Sequence, residues 1–187
     1  MHLTSRSKFL MLIGVFVVPV VAAYLAYFGW RPAGHTNYGD LIQVTPLRQT
    51  SGTTLDGKPF DLESLRVRWV IVHVGPASCD ASCVQQLYLM RQTRVAQGKE
   101  QSRIERMWVL TDTGAPDASL LQSHHGLRVW RPMDAAFVAQ FPATHNQAEH
   151  IYLVDPLGNL MLRFPAQTDA KRMMKDLKLL LKASQIG

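Results

Sequence analysis

An uncharged run of about 22 residues, FLMLIGVFVVPVVAAYLAYFGW from Phe9 to Trp30, limits what this chain can become more than any other feature. About 20 apolar residues in a helix cross the hydrocarbon core of a bilayer. No polar face interrupts this run, so a buried helix of a soluble domain fits it poorly. Pro19 is compatible with a membrane helix, and Tyr24, Tyr27 and Trp30 gather at one end, where amphipathic rings settle at headgroup level. Arg6 and Lys8 precede the run, and no acidic residue occurs before Asp40. The positive-inside bias therefore makes residues 1–8 a cytoplasmic tail and residues 9–30 a single transmembrane anchor. The remaining chain is exported, which in a bacterium means a C-terminal domain in the periplasm, held at the inner membrane; Arg31 weakens the charge asymmetry. A cleaved secretory signal is the alternative, with Phe9 to Val20 as its apolar region and Val21-Ala22-Ala23 as its cleavage site. The run stays apolar well past Ala23, which favours the anchor, and export has the same direction in either case.

The whole chain has Lys+Arg 20 against Asp+Glu 14, and removing Arg6 and Lys8 leaves the exported part with 18 basic and 14 acidic residues, a formal +4. Such a surplus suits proximity to anionic lipid. The basic residues are scattered and do not alternate with aromatics, which argues against a nucleic-acid partner. With 47% hydrophobic residues in 187, the chain can bury one core and is too short for two full domains. RPAGHTNYGD, from Arg31 to Asp40, has Gly, Pro and small polar residues without an apolar period, so residues 31–49 read as a linker and residues 50–187 as the domain.

Within that domain, GTTLDGKPFDLESL from Gly52 to Leu65 places an Asp56-Gly57 turn between short extended pieces. Trp69 to Val74 is a β-branched and aromatic run typical of a strand covered on both faces. Gly75-Pro76 ends it, and a helix is expected from Cys79 to about Gln97, closed by Gly98. Met107 to Leu110 reads as a second buried strand, Ala118 to Ser123 as a short helix, Leu127 to Trp130 as extended and Asp134 to Gln140 as helical. Ile151 to Val154 and Leu160 to Phe164 face each other across Asp155-Pro156-Leu157-Gly158-Asn159, a hairpin turn. A last helix is expected from Asp169 to Ala183, with Met173, Leu177, Leu180 and Leu181 inward and Lys171, Lys175, Lys178 and Lys182 on a solvated face. Strand–helix alternation flanked by hairpins makes a thioredoxin-like α/β sandwich the simplest architecture.

The two cysteines, Cys79 and Cys83, stand in the motif C-D-A-S-C where a central strand hands over to a helix. Unpaired N–H groups and the positive end of the helix dipole stabilise a thiolate there, as a nucleophile or as a metal ligand. A spacing of four puts both sulfurs on one helical face, able to close a disulfide or to hold one soft ion. A purely structural disulfide is the plain alternative, although so small a loop limits its stabilising effect. Two thiolates suit Cu(I), and an added imidazole would admit Cu(II). Of the histidines, His2 precedes the anchor and His35 lies in the linker. His73 reads as packed within its strand, and His124 and His125 read as solvent-facing or capping a short helix. His145 and His150 flank the start of the late hairpin, where either could face the cysteines; the methionines form no M-x-M cluster and read as packing.

At these residues the chain resembles the Sco/SenC family, membrane-anchored thioredoxin-like proteins that help to assemble the copper centre of cytochrome c oxidase. LDGKPFDLESLRVRWVIVHVG is similar to the family's hairpin and first core strand, and Cys79-x-x-x-Cys83 matches the spacing of its copper-binding cysteines. Trp108-Val109-Leu110-Thr111-Asp112 and Tyr152-Leu153-Val154-Asp155-Pro156-Leu157-Gly158 are similar to later family segments. The resemblance implies copper as cofactor, Cys79 and Cys83 as its ligands, and a cytochrome c oxidase subunit or another apo-metalloprotein as client. The chain departs from the pattern at Asp80 and Val84, where the family has proline. The family's distal histidine, five residues before the hairpin tyrosine, is Gln147 here. His145 stands two residues earlier in the same alternating phase, and His150 is nearer in the opposite phase, so His145, with His150 as alternative, is the expected third ligand.

Three functions follow. One is a copper-binding or thiol-redox factor assisting oxidase assembly; the second is a periplasmic thiol-disulfide reductase acting through Cys79 and Cys83 without metal; the third is an interaction module with a structural disulfide. A peroxidase is disfavoured, since the segment before Cys79 lacks the Thr and Pro that peroxiredoxins place there.

Overall fold

The computed structural model describes residues 5–29, 37–48, 50–184 and 186. His2, Trp30 at the end of the expected anchor, and residues 31–36 of the expected linker, His35 among them, lie outside the described residues. Contacts divide the chain into two compact units, Met1–Thr36 and Asn37–Gly187.

In the first unit, α1 (Ser5–Gly29) runs unbroken through Pro19. Its apolar side chains are exposed along their length, and a mean hydropathy of 2.6 makes it long and apolar enough to cross a membrane. The helix begins within the expected tail, four residues before Phe9. Tyr24 and Tyr27 both pack their rings on Phe28 near its C-terminal end.

The second unit is built on an eight-stranded sheet. Its strands are β1 (Asp40–Pro46), β2 (Ser51–Thr54), β3 (Pro59–Asp61), β4 (Trp69–Gly75), β5 (Ile104–Leu110), β6 (Leu127–Pro132), β7 (Ile151–Val154) and β8 (Asn159–Phe164), in the spatial order β1-β8-β7-β4-β5-β6-β2-β3. The pairs β4–β5 and β5–β6 are parallel, and every other pair is antiparallel. The helices are α2 (Ala81–Val95), α3 (Ala118–Ser123) and α4 (Ala170–Ala183).

Alternation along β4 divides the core in two, because successive side chains point to opposite faces. Trp69 and Ile71 join Trp108, Leu87, Met90 and Leu177 under α2 and α4. Val70, Val72 and Val74 join Met107, Phe137, Phe141 and Tyr152 on the other face, beneath 3-10 turns at Leu62–Leu65 and Ala135–Gln140. All seven residues of β4 are buried, as a strand covered on both faces requires. The late turn is held by Asp155, whose carboxylate accepts from the N–H groups of Leu157 and Asn159 at 2.9 and 2.8 Å.

Two sequence expectations are corrected here. The linker read over residues 31–49 contains β1, paired antiparallel with β8. Its side chains are almost all exposed, so burial imposes no alternating pattern, and the strand exists because the edge of β8 offers free backbone groups. The helix expected from Cys79 starts at Ala81, because the Asp80 side chain caps it by accepting from Cys83 N–H at 2.8 Å. The helical reading of Asp134 to Gln140 holds as a 3-10 helix, Ala135–Gln140, capped by Asp134.

The first residues of this unit are pinned to α4. Asp176, 3% exposed, accepts from the N–H groups of Tyr38 at 2.7 Å and Gly39 at 2.9 Å. Gly39 is required by close approach, since a Cβ there would lie 2.2 Å from a Leu162 methyl carbon. The Tyr38 ring lies under Arg172, 4.1 Å from the guanidinium carbon, and its hydroxyl accepts from Asp169 N–H at 2.8 Å. Asp176→Ala strands two N–H donors, and the expected loss is about 3 kcal/mol in denaturant unfolding, with the core disulfide unaffected.

Candidate functional site: a disulfide at the start of α2

Strand β4 ends at Gly75, and the chain must turn at once to lay α2 back across the sheet. Asp112, two residues past β5, controls this turn: its carboxylate accepts from Ala77 N–H at 3.0 Å, while Thr111 N–H donates to the Gly75 carbonyl at 3.1 Å. Arg131 Nε donates to the Asp112 carbonyl at 2.8 Å and holds that loop from β6. Cys79 follows outside the helix and Cys83 sits in its first turn, and the two are joined in a disulfide with Cα atoms 5.2 Å apart.

The two sulfurs have unequal surroundings. Cys83 is 7% exposed and belongs to the core under α2. Cys79 is half-buried and borders an open groove with Ala77, Ser78, Val84, Leu120 and Ser123. A reagent from solvent therefore meets Cys79 first. The free N–H groups and the dipole at the start of α2 favour a thiolate at this end of the pair when the bond opens.

The expected third ligand is not gathered. His145 is exposed, and His150 is half-buried with its Nδ1 bonded to the Phe164 carbonyl at 2.9 Å and its ring against Tyr152, whose side chain packs in the core on the face away from α2. Among the described residues no group of three or more His, Cys, Asp or Glu is close enough to hold a metal ion. Gln147 starts a 3-10 turn, Gln147–Glu149, capped by Asn146. His124, expected at the surface or as a cap, is the C-terminal cap of α3 and is buried.

Sequence reasoning passed over His73 and Gln86. His73 is fully buried in β4 and its Nδ1 lies 2.9 Å from Gln86 Oε1, while Gln86 Nε2 donates to the Ala148 carbonyl at 2.9 Å. Burial pushes the His73 pKa down to about 4, against weaker upward effects of Gln86 and the Asp80 charge. The one signal in the sequence was a histidine and a glutamine inside otherwise apolar faces.

A family model described as transmembrane-like, thioredoxin-like, C-terminal domain matches residues 69–184. A search of curated protein sequences returns no match. Among solved structures, the chain is similar to copper-bound ScoI of Bradyrhizobium japonicum, at 20% identity and a TM-score of 0.56, covering 72% of this chain and 99% of that one. Copper-bound yeast Sco1 is similar at 14% identity and a TM-score of 0.61, covering 81% and 96%. The thioredoxin domain of a Bacteroides vulgatus thiol-disulfide oxidoreductase is similar at 16% identity and a TM-score of 0.57, covering 76% and 99%. At these identities the likeness is one of fold: the second unit is a thioredoxin-like α/β domain.

Proposed function

From the premise that this chain belongs to the family of transmembrane-like, thioredoxin-like C-terminal domains, we propose that it is a membrane-anchored thiol–disulfide redox factor of the periplasmic face. Its clients are cysteines of an apo-metalloprotein, and the copper centre of a respiratory cytochrome c oxidase is the one the Sco resemblance points to. The observation that carries this reading is the disulfide at the start of α2, with Cys79 open to a groove and Cys83 in the core.

The exchange uses only these sulfurs. In the reduced chain the Cys79 thiolate attacks one sulfur of a client disulfide, the client S–S bond breaks, and the departing client thiolate takes a proton from solvent. The Cys83 thiol then loses its proton and attacks Cys79 sulfur; the second client thiolate leaves and is protonated, and the Cys79–Cys83 bond closes. Two electrons pass to the client, which ends as a dithiol able to receive metal. The described residues do not assemble a three-donor copper centre, so no step of this reading passes through copper.

A second reading has the reduced pair carry Cu(I) as cargo between two thiolates, a coordination that needs no third donor. The shared fold of two copper-bound Sco structures supports it. Copper titration of the reduced full chain in detergent, kept anaerobic, separates the two. Rapid exchange with a disulfide-bearing client peptide, and copper binding no tighter than that of Cys79→Ser, is the result expected for the redox factor. Tight equimolar copper that disappears in Cys79→Ser would establish the cargo reading instead, and loss of a Cu(II) form in His145→Ala or His150→Ala would identify a third ligand.

A further inference from the structure

His73 carries a buried nitrogen that has no hydrogen-bond partner among the described residues. The Gln86 amide is oriented by the Ala148 carbonyl, which can only accept, so Gln86 Nε2 donates to it and Oε1 is turned toward His73. Nδ1 of His73 must then carry the ring proton and donate to Oε1. Nε2 is left as a bare acceptor, buried and unbonded among the described residues. It lies toward the functional end of β4, since a Cβ on Gly75 would stand 3.0 Å from Nε2 and 3.3 Å from Ala148 Cβ. A buried acceptor without a donor destabilises the state that contains it.

The same layer holds Cys83. His73 shares its face of β4 with Ile71, which packs in one cluster with Cys83, Leu87 and Met90. Gln86, its hydrogen-bond partner, is three residues beyond Cys83 and so on the same side of α2. In the disulfide Cys83 has no hydrogen to offer. Reduction gives it one.

We propose that His73 Nε2 is the hydrogen-bond acceptor of the reduced Cys83 thiol, so that opening the disulfide completes the chain Cys83–His73–Gln86–Ala148 and ties the redox state of the pair to the Gln147–Glu149 turn. The step is reduction by an external dithiol: the Cys79–Cys83 bond breaks, a disulfide forms in the reductant, and its two protons end on Cys79 and Cys83. The new Cys83 S–H donates to Nε2 without transfer of the proton. The burial that keeps His73 neutral keeps this lone pair free. His73 is thus a positioning residue that favours the dithiol, and the inference rests on the redox reading of the same pair.

The test uses the full chain in detergent micelles. In a histidine-labelled sample, long-range proton–nitrogen correlation spectra are recorded before and after reduction with a phosphine, which opens the bond whether or not the protein exchanges with clients. The His73 signals are identified by their loss in His73→Leu. The expected result is an Nε2 resonance that is unprotonated and free in the disulfide form and shifts upfield on reduction, with Nδ1 still protonated. In a redox buffer of oxidised and reduced dithiothreitol, His73→Leu is expected to move the equilibrium toward the disulfide by about tenfold, a potential about 30 mV lower. An Nε2 resonance unmoved by reduction overturns the proposal, as does an equilibrium constant in folded His73→Leu within twofold of the parent. A chain that shows the Nε2 shift and yet fails to reduce client peptides would sink the redox function while leaving this inference standing.

Discussion

Cys79→Ser is expected to reduce client-disulfide exchange to the uncatalysed background, while Cys83→Ser is expected to retain the first step and stall at the second. The difference follows from burial. Cys79 borders the groove and meets the client, whereas Cys83 is 7% exposed and is bonded to Cys79 from the core side. A serine hydroxyl at position 79 stays protonated and cannot replace a thiolate as attacking group. With serine at position 83 the mixed disulfide between Cys79 and the client has no internal thiol to resolve it. Non-reducing electrophoresis after mixing with a disulfide-bearing client should show a covalent one-to-one adduct for Cys83→Ser and none for Cys79→Ser. An adduct formed through Cys83 in the Cys79→Ser chain would reverse the assignment of the two sulfurs.

Phe141→Ala is expected to destabilise the folded domain by about 3–5 kcal/mol, the usual cost of deleting a fully buried aromatic ring. Phe141 is 1% exposed and lies between Phe137 and Tyr152, with ring centroids 5.6 and 5.1 Å away in edge-on geometry. Trp130 continues the row beyond Phe137 at 5.0 Å. Removing the ring loses its transfer energy and two aromatic contacts, and enlarges a cavity of about 40 Å³ that Phe141 already helps to line. The melting temperature should fall by about 10 °C, the shift such a loss produces in a domain of this size. Phe141 belongs to the core on the face away from α2, so exchange through Cys79, measured well below the melting transition, should be nearly unchanged. A loss of exchange in proportion to the loss of stability would mean that the two faces of the sheet are coupled.

Elements whose burial imposes a pattern were legible from residues alone. β4, the Met107–Leu110 part of β5, and β7 are apolar runs because both of their faces are covered, and α4 shows its amphipathic period because one face meets the core. The Asp155 hairpin was legible from its turn residues, whose chemistry is local. β1 was not, because an exposed edge strand needs only a partner's backbone and leaves almost no trace in side-chain pattern. Cys79 lies two residues before α2 and not at its first position, because the Asp80 side chain takes the capping place.

The sequence by itself determined the apolar helix, the strand and helix alternation, and a cysteine pair at a strand-to-helix junction, because each is written in composition or spacing over a few neighbouring residues. Only the tertiary structure decided which residues stand around that pair. His150 is turned to the Phe164 carbonyl, His145 is exposed, and His73, which its strand context disguised as plain packing, stands in the same layer as Cys83 with a nitrogen unpartnered among the described residues. Those outcomes depend on contacts between residues such as Gln86 and Ala148, which are 62 positions apart. No local pattern encodes such contacts, because the hydrogen bonds that orient a side chain are set by whichever element the fold brings against it.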